Sequence, residues 1–347
     1  MVRVGIIGLG FGAHVHYPAF HSLAGARVVS MCGRDANRVP KILENYPELE
    51  PCSDWKTLIS GPEIDAVVVA MRPCDQAEVI CAILKSGRHV LCEKPLGMNS
   101  VEALEVGEVA EKSSCVAAVD FQFRFHPGIQ LVRELVSTGS LGRIERVDVD
   151  WLSGGRAGES FAWQNDGDLG GGVINSYLSH VFDYLCWILQ SPVEKIFAAS
   201  VMNRRVGGDD GKNLAEDAVD CLVRFSNGTQ SCLSISNCHR YGTGHRIRVV
   251  GERGCATMVQ PPFQETTNYQ VSVKYERARG IEEFTQEADW DNHTQGVGQV
   301  AEHFIQAIEK SPAKHLAGIK DGLESVRYLE MVRESIKTGY WAPRSDI

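Results

Sequence analysis

Glu93-Lys94-Pro95 follows directly on the short apolar run His89–Cys92. In an open parallel sheet the carboxyl ends of the strands border the ligand crevice, so Lys94 can orient a substrate hydroxyl or carbonyl, or stabilise charge that develops on oxygen. An exposed structural ion pair with Glu93 accounts for the same residues equally well. Pro95 constrains the backbone after the lysine. A second reactive cluster runs from Gly170-Gly171-Gly172 through Ser176 and Tyr177 to His180 and Asp183. The glycines read as a flexible lead-in to a helix on which Ser176 and His180, four apart, face one direction. Histidine ordinarily titrates near neutrality, which suits His180 to take a proton from a hydroxyl or return one to a carbonyl. A histidine satisfied within a core is the competing reading.

The opening Val4-Gly5-Ile6-Ile7-Gly8-Leu9-Gly10-Phe11-Gly12-Ala13 places Gly8, Gly10 and Ala13 on the G-x-G-x-x-G/A pattern. Gly8 permits a tight turn, Gly10 lets backbone approach a pyrophosphate, and Ala13 lets the helix pack closely on the strand. The amides and dipole of the helix then favour the anion. Val28–Cys32 is followed by Gly33-Arg34-Asp35 rather than by an acidic residue at the strand end. An acidic residue there would accept from the adenosine ribose of NAD, whereas Arg34 suits the extra phosphate of NADP, so the cofactor is read as NADP or NAD with NADP preferred. Phe11, Gly12, Gly33, Pro73, Glu93 and Lys94 complete the expected cofactor-binding set. Metal binding is not expected: His14 and His16 fall in the first helix, and no acidic partner has diagnostic spacing.

The elements that must hold these residues follow from periodicity. Strands are read at Val2–Gly8, Ala26–Cys32, Ile64–Met71, His89–Cys92 and Val116–Val119, with helices at Gly12–Leu23, Asp75–Lys85 and Val101–Ala110 between them. Apolar strands separated by helices indicate a parallel sheet covered on both faces. After Asp120 the pattern changes to alternation, as in Val147, Val149 and Trp151 against Arg146, Asp148 and Asp150. Val219–Phe225, the turn Ser226-Asn227-Gly228 and the strand through Leu233 and Ile235 read as a hairpin. Further strands are expected at Ile196–Val201, Arg246–Val250 and Val271–Tyr275. Helices are expected at Ile129–Ser137, Ile174–Leu189, Val297–Ile308 and Gly322–Ile336, and the glycine-rich Arg205–Asn213 reads as a loop. The fold class is α/β plus α+β. It comprises a Rossmann domain over 1–120 and a second domain over 121–347, built on an open, mainly antiparallel sheet, with room for the C-terminal helices to pack back on the first. The open sheet face suits a homodimer or homotetramer.

At 347 residues, 44% hydrophobic and 23% charged, the chain can bury two cores and does not read as disordered. A net charge of -9 gives no electrostatic reason to expect nucleic acid and disfavours anionic membranes. No apolar run approaches a membrane span, and no secretory signal pattern follows Met1. Eleven scattered cysteines without a CxxC pair read as reduced thiols, expected in a cytoplasmic protein.

At these residues the chain resembles the family of glucose-fructose oxidoreductases, inositol dehydrogenases and rhizopine-catabolism proteins (Gfo/Idh/MocA). The resemblance rests on Gly8 to Gly12, Glu93-Lys94-Pro95, Phe121-Gln122-Phe123-Arg124-Phe125-His126-Pro127, Gly170 to His180, and the terminal Asp321-Gly322 and Ser335–Gly339. It implies that Lys94 holds substrate and nicotinamide, that His180 is the acid/base, and that the substrate is a sugar, cyclic polyol or derivative. Arg124, Trp163, Tyr177 and His180 become substrate-binding candidates with Lys94, and Arg156 a further loop contact. The family's motif carries an aspartate four residues before the histidine and a glycine two before it. Here these are Ser176 and Leu178, and serine supplies no negative charge to an imidazolium. The working mechanism has His180 exchange the hydroxyl proton and Lys94 orient the oxygen, with a neutral hydrogen bond from Ser176 or Tyr177. The alternatives are a cofactor-binding sensor or regulator with little redox activity, and an enzyme using internal oxidation and reduction within an elimination or hydrolysis.

Overall fold

The computed structural model describes residues 1–33, 44, 46, 49–61, 63–154, 161–202, 213–262, 267–277 and 280–344. Arg34, Asp35, Arg156 and most of the 205–213 loop lie outside them. The chain divides into two compact units, Met1–Phe125 with Asp291–Val326, and His126–Trp290 with Arg327–Ile347. A single boundary at residue 120 does not describe this division. The buried turn Gln122–Phe125 stays with the first unit, where Phe125 lies 4.7 Å from the His303 ring of the returning helix Val297–Ile308.

The first unit holds a seven-stranded sheet in the order Ala317–Gly318, Ala117–Val119, His89–Cys92, Ala66–Val69, Val2–Ile7, Ala26–Cys32, Glu50–Cys52. All neighbours are parallel except the first pair. Every residue of Ala66–Val69 is buried, as a strand covered on both faces requires. Asn99 caps Ser100–Glu111 by accepting from the Glu102 amide at 3.0 Å, while Glu102 reaches back to the Met98 amide at 2.8 Å. The register aligns Cys32, Ile7, Val69, Cys92 and Val119 in one row. Gly8, Gly33, Ala70, Glu93 and Asp120 therefore leave the sheet side by side, along the edge where such sheets bind ligands.

The second unit is a nine-stranded sheet running Gly280–Asp289, Asn268–Arg277, Gly254–Gln260, Gly244–Gly251, Ile144–Leu152, Gln230–Ser236, Ala218–Phe225, Val193–Val201, Ala342–Pro343. Ile144–Leu152 and Gln230–Ser236 pair in parallel, and the other neighbours are antiparallel. One face is buried through Val147, Val149, Val219, Cys221, Val223 and Ile247; the other presents Arg146, Asp220, Leu222, Arg224, Arg246 and Arg248. Three strands of this sheet go beyond the sequence expectation, the two-residue Ala342–Pro343 among them. Gly280–Asp289 is exposed at every residue, so no burial alternation marks it, and Gly254–Gln260 alternates residues of weak contrast. Among the described residues no helix is long and apolar enough to cross a membrane.

The long helix Ile319–Thr338 crosses the division between the units. Near its end the fully buried Ser335 accepts from the Ala198 amide at 2.9 Å and donates to the Tyr340 carbonyl at 2.7 Å. Ser335→Ala leaves both backbone groups unsatisfied and is expected to lower stability by about 1–3 kcal/mol, read from urea unfolding.

Candidate active site

The glycine turn has the geometry its sequence requires. Gly8 has φ +119°, and a Cβ there would lie 2.1 Å from the Ala70 carbonyl oxygen. Its amide donates to Cys32 O at 2.9 Å. At Gly12 a Cβ would come within 2.9 Å of Ile6 Cγ2, and Ala13 is fully buried, so helix and strand are in close contact. Gly10 is different: a Cβ there would meet nothing within 4 Å. The space in front of Gly12–His16, a π-helical turn continued by the helix Tyr17–His21, is thus an open cradle at a helix start, which fits a pyrophosphate. The Phe11 ring stands edge-on to His16 and His293 at 5.4 and 5.5 Å. The Gly33 amide is already bonded to Cys52 O at 3.1 Å, and Pro73 opens the helix Pro73–Lys85 behind an Arg72–Asp75 ion pair of 2.7 Å.

Lys94 lies in a dense polar cluster of the same unit. The Lys94-Pro95 bond is cis, and the buried Gln76 amide donates to Pro95 O at 3.1 Å. His16 Nε2 is 2.8 Å from Glu93 Oε1 and 3.7 Å from Asp120 Oδ2. Burial pushes the Lys94 ammonium below its usual range, against the pull of the Glu93 and Asp120 charges. Burial works to raise Glu93, but the His16 hydrogen bond and the His16 and Lys94 charges outweigh it and hold this carboxyl low. Burial, then the Glu93 charge, raises Asp120 well above the carboxylate range. His16 had no acidic partner by sequence spacing; the partners come from strands remote in the chain. The ligand atoms of His16, Glu93 and Asp120 lie within 4.8 Å of one another, a spacing a cation could bridge. Against that use, Nε2 is already bonded to Glu93, and among the described residues Nδ1 has no hydrogen-bond partner to orient the ring as metal-bound imidazoles are oriented.

The second unit assembles the other candidates. Trp151, at the end of Ile144–Leu152, stacks on its cross-strand neighbour His245 at 4.4 Å and 16°, meets the Tyr177 ring edge-on at 4.5 Å, and lies 6.4 Å from the His180 ring. Tyr177 OH is 3.4 Å from Ser153 Oγ. His245 Nε2 bonds to Tyr184 OH at 2.9 Å, and burial, aided by His126, pushes its imidazole down to about 3. His180 is 4% exposed on the helix Ser179–Leu189.

One expectation needs correction. The glycines before the helix are a packed turn, not a flexible lead-in: a Cβ on Gly171 would lie 2.5 Å from Gln164 O, and one on Gly172 (φ +95°) 2.2 Å from Glu216 Oε1. Ser176 Oγ donates to Gly172 O at 2.6 Å, and its segment Ile174–Leu178 is a π-helical turn that runs into the helix carrying His180. Arg124 is buried and paired with Asp321 at 2.9 Å within the first unit. Trp163 is 37% exposed in the turn Trp163–Asn165. A cavity of about 300 Å³ opens in this unit beside Asn175, Glu216 and Arg333, and its lining does not include Ser176, Tyr177 or His180. The cysteines are free thiols, and burial pushes Cys32 up to about 12.

Residues 2–121 match an oxidoreductase family with an NAD-binding Rossmann fold, and 129–257 match the GFO/IDH/MocA C-terminal domain. The chain is 26% identical over 363 residues to an uncharacterized oxidoreductase of Synechocystis, covering 100% of this chain and 97% of that one. It is 25% identical to inositol 2-dehydrogenase of Rhizobium meliloti, covering 96% and 97%. Among solved structures, levoglucosan dehydrogenase in complex with NADH and levoglucosan superposes with a TM-score of 0.85 at 18% identity, over 100% of both chains. With both of its units matched, the chain belongs to the GFO/IDH/MocA family of NAD-binding oxidoreductases.

Proposed function

We propose that the protein is an NAD(P)-dependent dehydrogenase or reductase acting on a CH–OH or C=O carbon of a sugar, cyclic polyol or derivative. The observation that carries this reading is the common row in which Gly8 and Glu93-Lys94 leave the sheet. It puts a half-buried lysine on the strand edge that holds the open glycine cradle. A bound nicotinamide supplies the acceptor or donor of hydride. Lys94 orients the reacting oxygen and offsets charge that grows on it. His180 takes the hydroxyl proton in oxidation and returns it in reduction. Tyr177, held by Trp151 and Ser153, supplies the neutral hydrogen bond beside it. The sugar and polyol class rests on relatives named inositol 2-dehydrogenase and levoglucosan dehydrogenase.

A panel of sugars, cyclic polyols and their oxo forms, followed by nicotinamide absorbance with both cofactors, tests the reading. Reduction of cofactor by at least one ring polyol or sugar is expected. Tight cofactor binding with no turnover across the panel would favour a sensor instead. Arg34 supports a preference for NADP. Arg34→Ala is expected to weaken NADP binding by about tenfold or more and leave NAD nearly unchanged, as loss of a charged hydrogen bond predicts. An unchanged NADP-to-NAD ratio of Kd values removes that role.

A further inference from the structure

Cys32 ends the strand Ala26–Cys32, and its carbonyl accepts from the Gly8 amide at 2.9 Å. Its register partner on the neighbouring strand Glu50–Cys52 is Cys52. Parallel register partners project from the same face, and both cysteines pack in one apolar cluster with Leu58 and Ile59. Adjacent strands run about 4.8 Å apart, within the Cα separation of about 4.4–6.8 Å that a disulfide spans. The thiols are hydrogen-bonded to each other, and Cys52 Sγ donates to Asp54 O at 3.0 Å. Among the described residues no other two cysteines are register partners. The two differ in access. Cys32 is 2% exposed, whereas Cys52 is half-buried on the three-residue strand at the sheet's edge.

We propose that Cys32 and Cys52 form a dithiol that a hydroperoxide converts to a disulfide, and that this bond weakens the hold on the nicotinamide cofactor. Cys52 meets the peroxide first, because it reaches solvent. Its sulfur attacks one peroxide oxygen, the O–O bond breaks, and water leaves with the thiol proton, so Cys52 becomes a sulfenic acid. The Cys32 sulfur then attacks that sulfur, the S–O bond breaks, and the hydroxyl leaves as a second water with the Cys32 proton. Two thiols are oxidised to one disulfide, and one peroxide is reduced to two waters. Burial, then Cys52, pushes the Cys32 thiol up to about 12, which suits it to the second step rather than the first. Register partners on parallel strands hold their Cβ atoms near the strand spacing, farther apart than the roughly 3.8 Å a disulfide prefers, so closing the bond draws the edge strand inward. A bond strained in this way is readily reduced again, as regulatory disulfides are. The same pull displaces the Cys32 carbonyl that holds the Gly8 turn and the Gly33 amide bonded to Cys52 O. The loop that the bond closes also contains Arg34. The effect on cofactor rests on the cofactor site read above; the formation of the bond does not.

The test needs no substrate. The reduced full-length protein is treated with hydrogen peroxide, quenched, and digested without reductant for mass spectrometry. A peptide joining Cys32 to Cys52 is expected, two hydrogens lighter than its parts and lost on adding dithiothreitol. Cys115→Ser, which removes a half-buried cysteine outside the pair, should still form it, and Cys52→Ser should not. Cys52 carried on to a sulfinic acid with Cys32 still free overturns the proposal, and so do linked peptides that join other cysteines in its place. NADPH fluorescence then compares the two forms. The linked protein is expected to bind NADPH about fivefold more weakly than the reduced one, as a weakened hydrogen bond predicts. Dithiothreitol should restore the affinity, and peroxide-treated Cys52→Ser should bind as its untreated form does. An unchanged Kd in fully linked protein overturns the effect on cofactor. Because the linkage is mapped without cofactor, a bond that fails to form is distinguishable from a reduced protein that fails to bind NADPH.

Discussion

Turnover is expected to fall by about 100- to 10,000-fold when His180 is replaced by alanine, with cofactor Kd held within about twofold. Two histidines flank Trp151, and their surroundings separate their tasks. His245 is stacked on the indole, tied to Tyr184 and driven by burial, with His126 second, down to about 3, so it stays neutral throughout any ordinary assay. It is a packing group. His180 sits on the helix that follows the packed glycine turn, with Tyr177 one turn earlier. No carboxylate stands at position 176, and the Ser176 hydroxyl is committed to Gly172 O. His180→Asn keeps the volume nearer the native one and separates lost chemistry from lost packing. Steady-state nicotinamide absorbance and cofactor fluorescence read the two quantities, and wild-type kcat in both variants would reject the acid/base assignment.

How far this arrangement was readable depends on range along the chain. Strands of a covered parallel sheet are predominantly apolar, so Ala26–Cys32 and His89–Cys92 are found at the bounds read from periodicity, as is the helix Val297–Ile308. Local chemistry was legible too: the positive φ at Gly8 is what a tight turn after a strand demands. The cluster around Lys94 was not. His16 and Glu93 lie 77 positions apart, and only the shared register row brings Asp120 to them. Side-chain commitments were hidden for the same reason. Arg124 reads as a polar residue near a domain junction until Asp321 returns in the first unit to pair with it. Ser176 lies in a π turn, Ile174–Leu178, that reads as plain helix in the sequence.

Alanine at Gly8 and alanine at Gly10 are expected to fail in different ways, and the contrast isolates the cofactor cradle from the fold. At Gly8 the new Cβ would stand 2.1 Å from the Ala70 carbonyl oxygen, at a φ of +119° that L side chains rarely adopt. That oxygen is backbone, and Ala70 is itself held by its amide to Ile7 O at 2.8 Å, so the strand cannot yield cheaply. Backbone strain of about 1–3 kcal/mol and a comparable overpacking cost add together. Gly8→Ala should therefore lower Tm by several degrees and abolish measurable cofactor binding. At Gly10 the same Cβ meets no atom of the described residues within 4 Å, so Tm should stay within about 2 °C. What it does enter is the space where the backbone approaches the pyrophosphate. Gly10→Ala is expected to weaken cofactor binding by about tenfold or more while the protein melts as wild type, since a methyl group there holds the anion away from the amides. Thermal melts with and without cofactor check both variants: a stabilising shift should be present in wild type, reduced in Gly10→Ala and absent in Gly8→Ala. An unimpaired shift in Gly10→Ala would mean that the open space before the helix is not where the pyrophosphate lies.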